Sequence, residues 1–368
     1  MPNQLLTTDV IAKEATMVLE NNLVLGNKVY KNYQDEFVSG VGDTIKIKKP
    51  TKGEVKDFKG STEDRDVEEE NITLKIDRHK YDKIKLTTKE LALSVSAFSE
   101  QFLVPMLREF AQTIDYDLAT LAKKVPYFVG TAGAAPGQIS DLTNLGQVLD
   151  DNNVPESGRS LVINSAAKNN FLQLQTFHEA DKLGSTDGLK NAALGKKLGF
   201  DIYSKQNMYR HKNGTLAVSG APEISSDVEA GDSRIFVQDT TLTGTVTKGS
   251  RLEIDGAQYI VTSDATASED EIILNIYPSM PKTMENGSPV TFLDDHNCNL
   301  AFNSRAIALA SAPLEPLWGT DTAWASYNGI VIRISKSGSI SNLSNYMVLD
   351  CVYAADLIQP ELAAVLLG

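Results

Sequence analysis

Cysteine and histidine are scarce in this 368-residue chain, which narrows the chemistry available to it. Its two cysteines, Cys298 and Cys351, lie in separate apolar, strand-like segments without a Cys-x-x-Cys spacing, so we expect buried free thiols. The histidines show neither an HExxH pattern nor any paired spacing, and we expect each to be an ordinary surface or core residue. They are His79, His178, His211 and His296.

Motifs of the common enzyme classes are also missing. The sequence contains no Gly-x-Ser-x-Gly elbow, and Gly40-Val41-Gly42 is not followed by the last glycine of a dinucleotide fingerprint. Carboxylates are plentiful, but abundance alone does not select an acid/base pair. The sequence therefore predicts no catalytic residue, no metal site and no cofactor.

Positive charge and long apolar runs are in short supply as well. The 35 Lys and Arg residues against 48 Asp and Glu give a formal net charge of −13. Nucleic-acid-binding modules neutralise phosphates with clustered cations, so any contact with DNA should be weak and non-specific. No stretch approaches the roughly 20 apolar residues that span a bilayer, and residues 1–9 lack signal-peptide features. We expect no membrane partner and folding in a reducing cytoplasm.

Two helices of unusual character are predicted in the first third of the chain. Residues 7–25 carry the apolar stripe of an amphipathic helix, with Gly26 as its stop. A short helix without a sequential partner predicts an arm that lies on another part of the fold or on a neighbouring subunit. Apolar residues spaced by three and four over residues 96–125 predict a spine helix roughly 45 Å long. Pro105 should kink this helix or mark its first turn.

Between these helices the sequence predicts a long β-hairpin. Residues 44–48 and 71–77 alternate with period two, and the segment between them is nearly free of apolar side chains, so its tip should project. The outgoing arm is basic and the returning arm acidic. These charges either pair across the hairpin or dock on an adjacent copy, and both interpretations stay open. The candidate subunit-contact residues are Lys46, Lys48, Lys52, Lys56, Lys59, Glu63, Asp64, Asp66, Glu68, Glu69 and Glu70.

The pattern of predicted helices and strands changes twice in the second half of the chain. Residues 140–203 alternate helical and strand patterns and predict an α/β block. Residues 224–292 consist of short strands separated by Gly, Asp and Ser, with Asp255-Gly256 as a hairpin turn, which predicts a small all-β domain inserted into the block. Strand candidates return over residues 300–353, and we interpret the residues after Pro360 as a short tail.

This order of elements resembles the Hong Kong 97-type fold of tailed-bacteriophage major capsid proteins. The sequence LGKKLGFDIYS at residues 194–204 looks like the family's turn into a strand of the axial domain. NLAFNSRAIALA at residues 299–310 looks like the strand after the insertion in the coat proteins of short-tailed lambdoid phages. GIVIRI at residues 329–334 and VLDCVY at residues 348–353 look like the closing strands.

The resemblance implies an α+β fold with an N-terminal arm, an extended β-hairpin loop, a long spine helix, axial and peripheral domains, and an inserted small all-β domain. It also implies limits for each part. These are 1–35 for the arm, 36–90 for the extended β-hairpin loop, 91–130 for the peripheral domain with the spine helix, 131–222 for the axial domain, 223–293 for the inserted β domain, 294–345 for the axial domain continued, and 346–368 for the closing strands of the peripheral domain.

The function implied by the resemblance is structural and not enzymatic. The chain would self-assemble as pentamers and hexamers into an icosahedral head that encloses phage double-stranded DNA. Its implied partners are further copies of itself, a portal protein, the packaged DNA and a separate scaffolding protein, since only a short arm precedes the hairpin. Its implied location is the virion capsid, after assembly in the host cytoplasm.

Two alternatives remain at this point. An encapsulin-like bacterial nanocompartment shell would share the fold and enclose cargo enzymes instead of DNA, but the β insertion and the arm favour the phage interpretation. A monomeric surface-binding protein with a β module is the other alternative. A long unsupported hairpin is difficult to explain in such a protein without neighbouring subunits.

Overall fold

A computed structural model describes residues 8–31, 44–48, 71–87, 102–178, 194–339 and 344–368. Within these ranges the chain folds as two compact units. The first unit is drawn from Met1–Ile114 and Ile307–Gln359, and the second from Asp115–Ala306 and Pro360–Gly368.

The helices are few and mostly short in the described part of the chain. In chain order they are α1 (Thr8–Asn22), α2 (Val104–Ala119), α3 (Ile139–Asp151), α4 (Ser165–Leu172) and α5 (Gln175–His178). Short 3₁₀ helices occur as well, at Leu25–Asn27, Thr120–Lys124, Ser304–Ala306 and Pro360–Leu362.

Strands make up most of the regular structure. The strands before the last helix are β1 (Thr44–Lys48), β2 (Asn71–Lys75), β3 (Arg78–Thr87), β4 (Phe128–Val129) and β5 (Arg159–Ile163). Short strands follow as β6 (Gly195–Lys197), β7 (Phe200–Ser204), β8 (Arg210–His211), β9 (Ala217–Val218), β10 (Glu223–Ile224), β11 (Arg234–Gln238), β12 (Leu242–Thr243) and β13 (Thr245–Val246). The remaining strands are β14 (Arg251–Ile254), β15 (Ala257–Val261), β16 (Ala265–Thr266), β17 (Glu271–Tyr277), β18 (Val290–Phe292), β19 (His296–Asn303), β20 (Ile307–Ala312), β21 (Asp321–Tyr327), β22 (Ile330–Ser339), β23 (Ser344–Leu357) and β24 (Ala363–Leu367).

The long strand β23 organises the first unit. It pairs antiparallel with β3 along ten residues, with β22 along its first half and with β20 along its second half. Strand β21 extends this sheet beyond β22. The strands predicted around residues 329–334 and 348–353 are confirmed as β22 and β23. Strands β3 and β21 were not predicted, because charged or small residues dilute the apolar alternation of both.

Helix α1 confirms the predicted amphipathic helix. Ile11, Ala15 and Leu19 form its apolar stripe and are fully buried. The helix packs against β21 and β22 of the same unit, so the arm lies on its own sheet. Beyond the helix, Tyr30 exchanges backbone hydrogen bonds of 2.9 Å with Ile307 and Leu309, which fastens the chain to β20.

The spine helix is shorter in the structure than in the prediction. Helix α2 ends at Ala119, and the 3₁₀ helix Thr120–Lys124 completes the predicted span. Pro105 is the second residue of α2, and the π-helical residues 102–103 come directly before this helix. Residues 96–101 of the predicted span lie outside the described residues.

The second unit contains a mixed sheet whose main strands run in the order β4-β24-β19-β5-β7-β6. Helices α3 and α4 bury Leu142, Leu145 and Phe171 against it. The predicted short tail after Pro360 is wrong, because β24 is a fully buried strand between β4 and β19. Five consecutive apolar or small residues fit a strand covered on both faces, a pattern without alternation.

A separate six-stranded sheet in the second unit runs in the order β10-β11-β17-β15-β14-β18. Its strands confirm the short-strand pattern predicted from the sequence, and it encloses its own apolar core around Leu252, Ile272 and Leu274. Asp255 and Gly256 connect β14 to β15 with φ of 49° and 74°, as a type I′ hairpin turn requires.

Candidate subunit-contact surfaces

The base of the predicted hairpin is present as an antiparallel pair. Strands β1 and β2 pair from Thr44 opposite Lys75 to Lys48 opposite Asn71. Ile47 and Leu74 are buried and pack with Ala308, Ala310, Ala354 and Ile358 of the same unit. The apolar face of the hairpin base is therefore held on the sheet of the first unit.

The charged residues proposed for subunit contact divide into two groups. Lys46 is exposed and stands opposite Thr73 rather than a carboxylate, and in the strand register Lys48 is paired with Asn71. The remaining candidates lie outside the described residues and stay predictions. These are Lys52, Lys56, Lys59, Glu63, Asp64, Asp66, Glu68, Glu69 and Glu70.

A second prominent surface is the loop of residues 313–320 between β20 and β21. Trp318 at its tip is 99% exposed. The Trp324 indole N–H donates to the Leu314 carbonyl at 3.0 Å, and Thr320 Oγ1 donates to the Leu317 carbonyl at 2.8 Å. The loop is thus anchored from within and from the adjoining strand, while its largest side chain points into solvent.

An ion pair on β22 and β23 supports the same loop. The Arg333 guanidinium binds Asp350 in a bidentate fashion, with Nε–Oδ1 and Nη2–Oδ2 distances of 2.9 and 2.5 Å. Its third nitrogen, Nη1, donates to the Glu315 carbonyl. Bidentate pairing fixes the plane of a guanidinium, so the third donor is aimed at the loop without rotamer freedom. His79 reaches the same carboxylate, with Nε2 at 3.1 Å from Oδ2.

A shallow groove lies beside this loop, between α1 and β21. It is lined by Ala12, Lys13, Thr16, Trp324 and Ser326. Trp324 is 42% exposed, and Lys13 is exposed as well. Trp324 therefore serves two surfaces, since its N–H holds the loop while its ring lines the groove.

The interior of the second unit contains a polar cluster that the sequence did not reveal. His211 and His296 are buried with ring centroids 5.4 Å apart. Arg251 is fully buried and donates from Nη1 to His296 Nε2 at 2.7 Å. Its Nη2 donates to the carbonyls of Ala122 at 2.8 Å and Val125 at 3.4 Å. Arg251 thus ties the six-stranded sheet to the end of the helix that follows α2.

Hydrogen bonding assigns the tautomer of His296. Its Nδ1 lies 2.7 Å from the Asp294 carbonyl and must donate, which leaves Nε2 to accept from Arg251. Burial, followed by the charge of Arg251, lowers the pKa of His296 to about 4 and that of His211 to about 3. Both imidazoles are consequently neutral at neutral pH.

Ser250 and His211 are the residue types that act as nucleophile and base in hydrolytic enzymes, and they lie side by side here. Ser250 Oγ lies 3.1 Å from His211 Nε2, and the Tyr209 hydroxyl lies 3.1 Å from Nδ1. Nucleophilic catalysis would require substrate to reach the serine. Ser250 and His211 are each 1% exposed, so these hydrogen bonds satisfy buried polar atoms and support packing.

Gln258 makes a second tie between the same parts of the unit. Its side chain accepts from the Phe128 N–H at 2.9 Å and donates to the Phe128 carbonyl at 2.8 Å. A side-chain amide here takes the place of a neighbouring strand at the edge of β4. Sequence patterns could not find either tie, because their partners are separated by more than a hundred positions along the chain.

The remaining candidate chemistry is limited in the part of the chain that the structure describes. Cys298 and Cys351 are buried free thiols, as predicted, and burial raises the pKa of Cys298. In the same residues, no group of three or more His, Cys, Asp or Glu side chains is placed to hold a metal ion. No described helix is both long and apolar enough to cross a bilayer.

Comparisons with known proteins find one family model and several solved structures similar to this chain. Residues 232–368 match the model of a family described as P22 coat protein, gene protein 5. A solved structure from Mycobacterium phage Che8 is 15% identical, with a TM-score of 0.53, covering 94% of this chain and 90% of that chain. The capsid structure of cyanophage P-SCSP1u is 12% identical, with a TM-score of 0.48 and coverages of 89% and 83%. The mature capsid of bacteriophage PhiM1 is 11% identical, with a TM-score of 0.47 and coverages of 93% and 86%. No curated protein matches the chain.

Proposed function

We propose that this chain, which has the Hong Kong 97-type fold, is a tailed-phage major capsid protein that assembles as pentamers and hexamers into an icosahedral head around double-stranded DNA. The observation that carries the proposal is the family match over residues 232–368 within a fold shared along nearly the whole chain. The matched family is one of structural coat proteins, so the proposed role is structural and not enzymatic.

The two compact units are assigned here to the domains of the Hong Kong 97-type fold. We assign the peripheral domain, the arm and the extended hairpin to the first unit, where α1 and the hairpin base lie on the sheet around β23. We assign the axial domain and the inserted β domain to the second unit, so the proposed limits differ from those that the resemblance implies: residues 307–345 join the peripheral domain, and residues 115–130 and 360–368 join the axial domain. The ties from Arg251 and Gln258 support this second assignment, because they join the six-stranded sheet to the rest of that unit.

The charged hairpin is proposed to act between subunits. Lys46 of β1 is exposed and stands opposite Thr73 rather than a carboxylate, so its positive charge is available to another surface. Complementary charge between copies fixes register and speeds encounter more than it adds affinity. This role agrees with the sorting of basic and acidic residues along the two arms.

The proposed partners are packaged DNA, a scaffolding protein and a portal protein, and the acidic charge of the chain bears on the first of them. A net charge of −13 disfavours tight binding of packaged DNA, so we propose only weak, non-specific contact with it. A separate scaffolding protein and a portal protein complete the proposed set, with assembly in the host cytoplasm. The encapsulin-like alternative is not favoured, because the family matched is a phage coat family.

Negative-stain electron microscopy tests the proposal directly. The full chain is expressed alone and together with candidate scaffolding proteins, and the products are sized by sedimentation. We expect closed shells or tubes, with a megadalton fraction that contains this chain. Monodisperse monomers under every condition would overturn the proposal and favour a monomeric binding protein.

A further inference from the structure

We propose that Trp318 is an assembly anchor that packs into the groove between α1 and β21 of a second copy of this chain. The inference rests on the proposed function, because it names one contact of the shell. Trp318 is 99% exposed and its neighbour Leu317 is 44% exposed, so the loop tip presents a concentrated apolar surface to water. Tryptophan is among the residue types enriched as energetic anchors in protein interfaces.

The loop that carries Trp318 is ordered before any partner arrives. Arg333 holds the Glu315 carbonyl, Trp324 holds the Leu314 carbonyl at 3.0 Å, and Thr320 closes the turn beyond Trp318. Three separate side chains therefore fix the backbone on both sides of the exposed indole. An anchor that is already positioned loses little conformational entropy on binding, so most of its contact energy remains available for association.

The groove has the composition to receive an indole. Ala12 and Ser326 are small and leave room, and the exposed face of Trp324 offers an aromatic surface for stacking. Lys13 is exposed at the same groove, where its ammonium can lie over the incoming ring. The donor loop carries one carboxylate, the exposed Glu315, which complements the charge of Lys13.

The placement of anchor and groove on one unit points to copies of the same chain as partners. Trp324 joins the two, because its N–H binds the donor loop and its ring lines the groove. A contact in which one surface of a subunit meets a different surface of the next is heterologous and closes into a ring when the rotation allows. Because the loop and the groove adjoin, a two-fold pair of copies can also seat each Trp318 in the groove of the other copy, and in both arrangements the occupant is a second copy of this chain.

The first test measures assembly of Trp318→Ala under the conditions in which the wild-type full chain forms shells. We expect the subunit concentration for half-maximal assembly to rise at least about tenfold, since a central tryptophan anchor is lost. The melting temperature of the free subunit should not change, because the side chain is almost fully exposed. Trp318→Phe retains an aromatic ring and should recover most of the assembly. Wild-type assembly by Trp318→Ala would overturn the proposal.

A crosslinking experiment identifies the occupant of the groove. Subunits carrying Leu317→Cys are mixed with subunits carrying Ser326→Cys, assembled, oxidised mildly and separated on a non-reducing gel. We expect a crosslinked dimer only in the mixture and only after assembly. Leu317→Cys mixed with Ile273→Cys is the control and should give none, since Ile273 lies in the six-stranded sheet.

The outcomes separate this inference from the proposed function. Wild-type chain that never forms shells would contradict the proposed function itself. Wild-type shells without the crosslink would leave that function intact and overturn the role of Trp318. A scaffolding protein as the occupant would give an assembly defect in Trp318→Ala without any crosslink between copies, and that result would also overturn the proposal.

Discussion

At the scale of single residues, the neutral histidines His211 and His296 make the subunit sensitive to acid. An unfolded histidine has a pKa of about 6.5, whereas burial holds the folded values at about 3 and about 4. As the pH falls below about 6.5, these two histidines bind protons in the unfolded chain but not in the folded chain. The free energy of unfolding is therefore unaffected by these histidines above that pH, and it decreases as the solution is acidified.

We predict that each of these two histidines removes about 2 kcal/mol from the free energy of unfolding between pH 7.5 and pH 5. Chemical denaturation of the free subunit at both pH values measures the loss. His296→Gln retains an acceptor for Arg251 but cannot titrate, and it should lose less stability than wild type over this interval. Carboxylates titrate alike in both proteins, so equal losses would show that His296 is not held neutral.

Backbone conformation at two glycines allows a matched test of packing. Gly244 and Gly231 both have φ of 98°, a left-handed conformation that costs an L-residue about 1–2 kcal/mol. A Cβ at Gly244 would also lie 2.2 Å from the Thr215 carbonyl oxygen, whereas a Cβ at Gly231 would meet nothing within 4 Å.

We expect Gly231→Ala to cost about 1–2 kcal/mol and Gly244→Ala at least about 3 kcal/mol, because the second substitution adds a backbone clash to the same strain. Thermal or urea denaturation of the two variants gives the difference. Equal losses would indicate that the backbone around Thr215 moves aside without a penalty.

At the scale of elements, the extended hairpin carries the clearest prediction about assembly. Reversing the charge of Glu68, Glu69 and Glu70 to lysine should impair shell formation while the subunit stays folded. The reason is that these residues belong to a segment nearly free of apolar side chains, so we expect them to contribute to register between copies and not to a core. Sedimentation measures shell yield, and circular dichroism confirms that the subunit is folded.

The control for this experiment changes the net charge by the same amount at exposed sites of the second unit. Its substituted residues are Asp151, Glu156 and Glu285. If the control impairs assembly as much as the hairpin variant, total charge and not the hairpin is responsible. Normal shells from the hairpin variant would remove its docking role.

The elements recovered from sequence share a physical signature. Strand β17 alternates buried and exposed residues along its length, and α1 repeats apolar residues at helical spacing, so a local pattern identifies both. Strand β24 is buried at every position and has no alternation to detect. Strand β3 has the opposite problem, since Lys and Arg occupy much of it.

The candidate site divides in the same way. Sorted charge along the hairpin is a local feature and can be read directly. The cluster of Arg251, His211 and His296 depends on contacts between segments distant in sequence, and no local pattern announces it. The exposure of Trp318 is likewise set by the loop anchors, which come from β21 and β22.

At the scale of the whole molecule, the six-stranded sheet is integrated into its unit and is not an independent appendage. Arg251 and Gln258 bind backbone groups at Ala122, Val125 and Phe128, all outside the sheet. Removing the sheet would break these hydrogen bonds and would expose the surface beneath them. A buried carbonyl or N–H without a partner costs about 1–3 kcal/mol.

Deletion of residues 223–293 should therefore yield a soluble subunit of lowered stability that fails to assemble or assembles wrongly. Electron microscopy of particles from the deletion measures their size and yield. Gln258→Ala serves as a milder companion that removes one tie and retains the sheet, and it should lower the melting temperature without altering particle size. Particles of wild-type size and yield from the deletion would contradict this prediction.

The pairing of β4 with β24 has a consequence for how the subunit is made. Phe128 emerges from the ribosome long before Val365, its partner in the sheet, and the strands of both units are synthesised in between. Until β24 arrives, β4 presents an open edge to the cell and the central place beside β19 is vacant. A partly synthesised subunit therefore cannot complete the sheet of its second unit. We expect newly made chains to become able to assemble only after residue 367 has been translated.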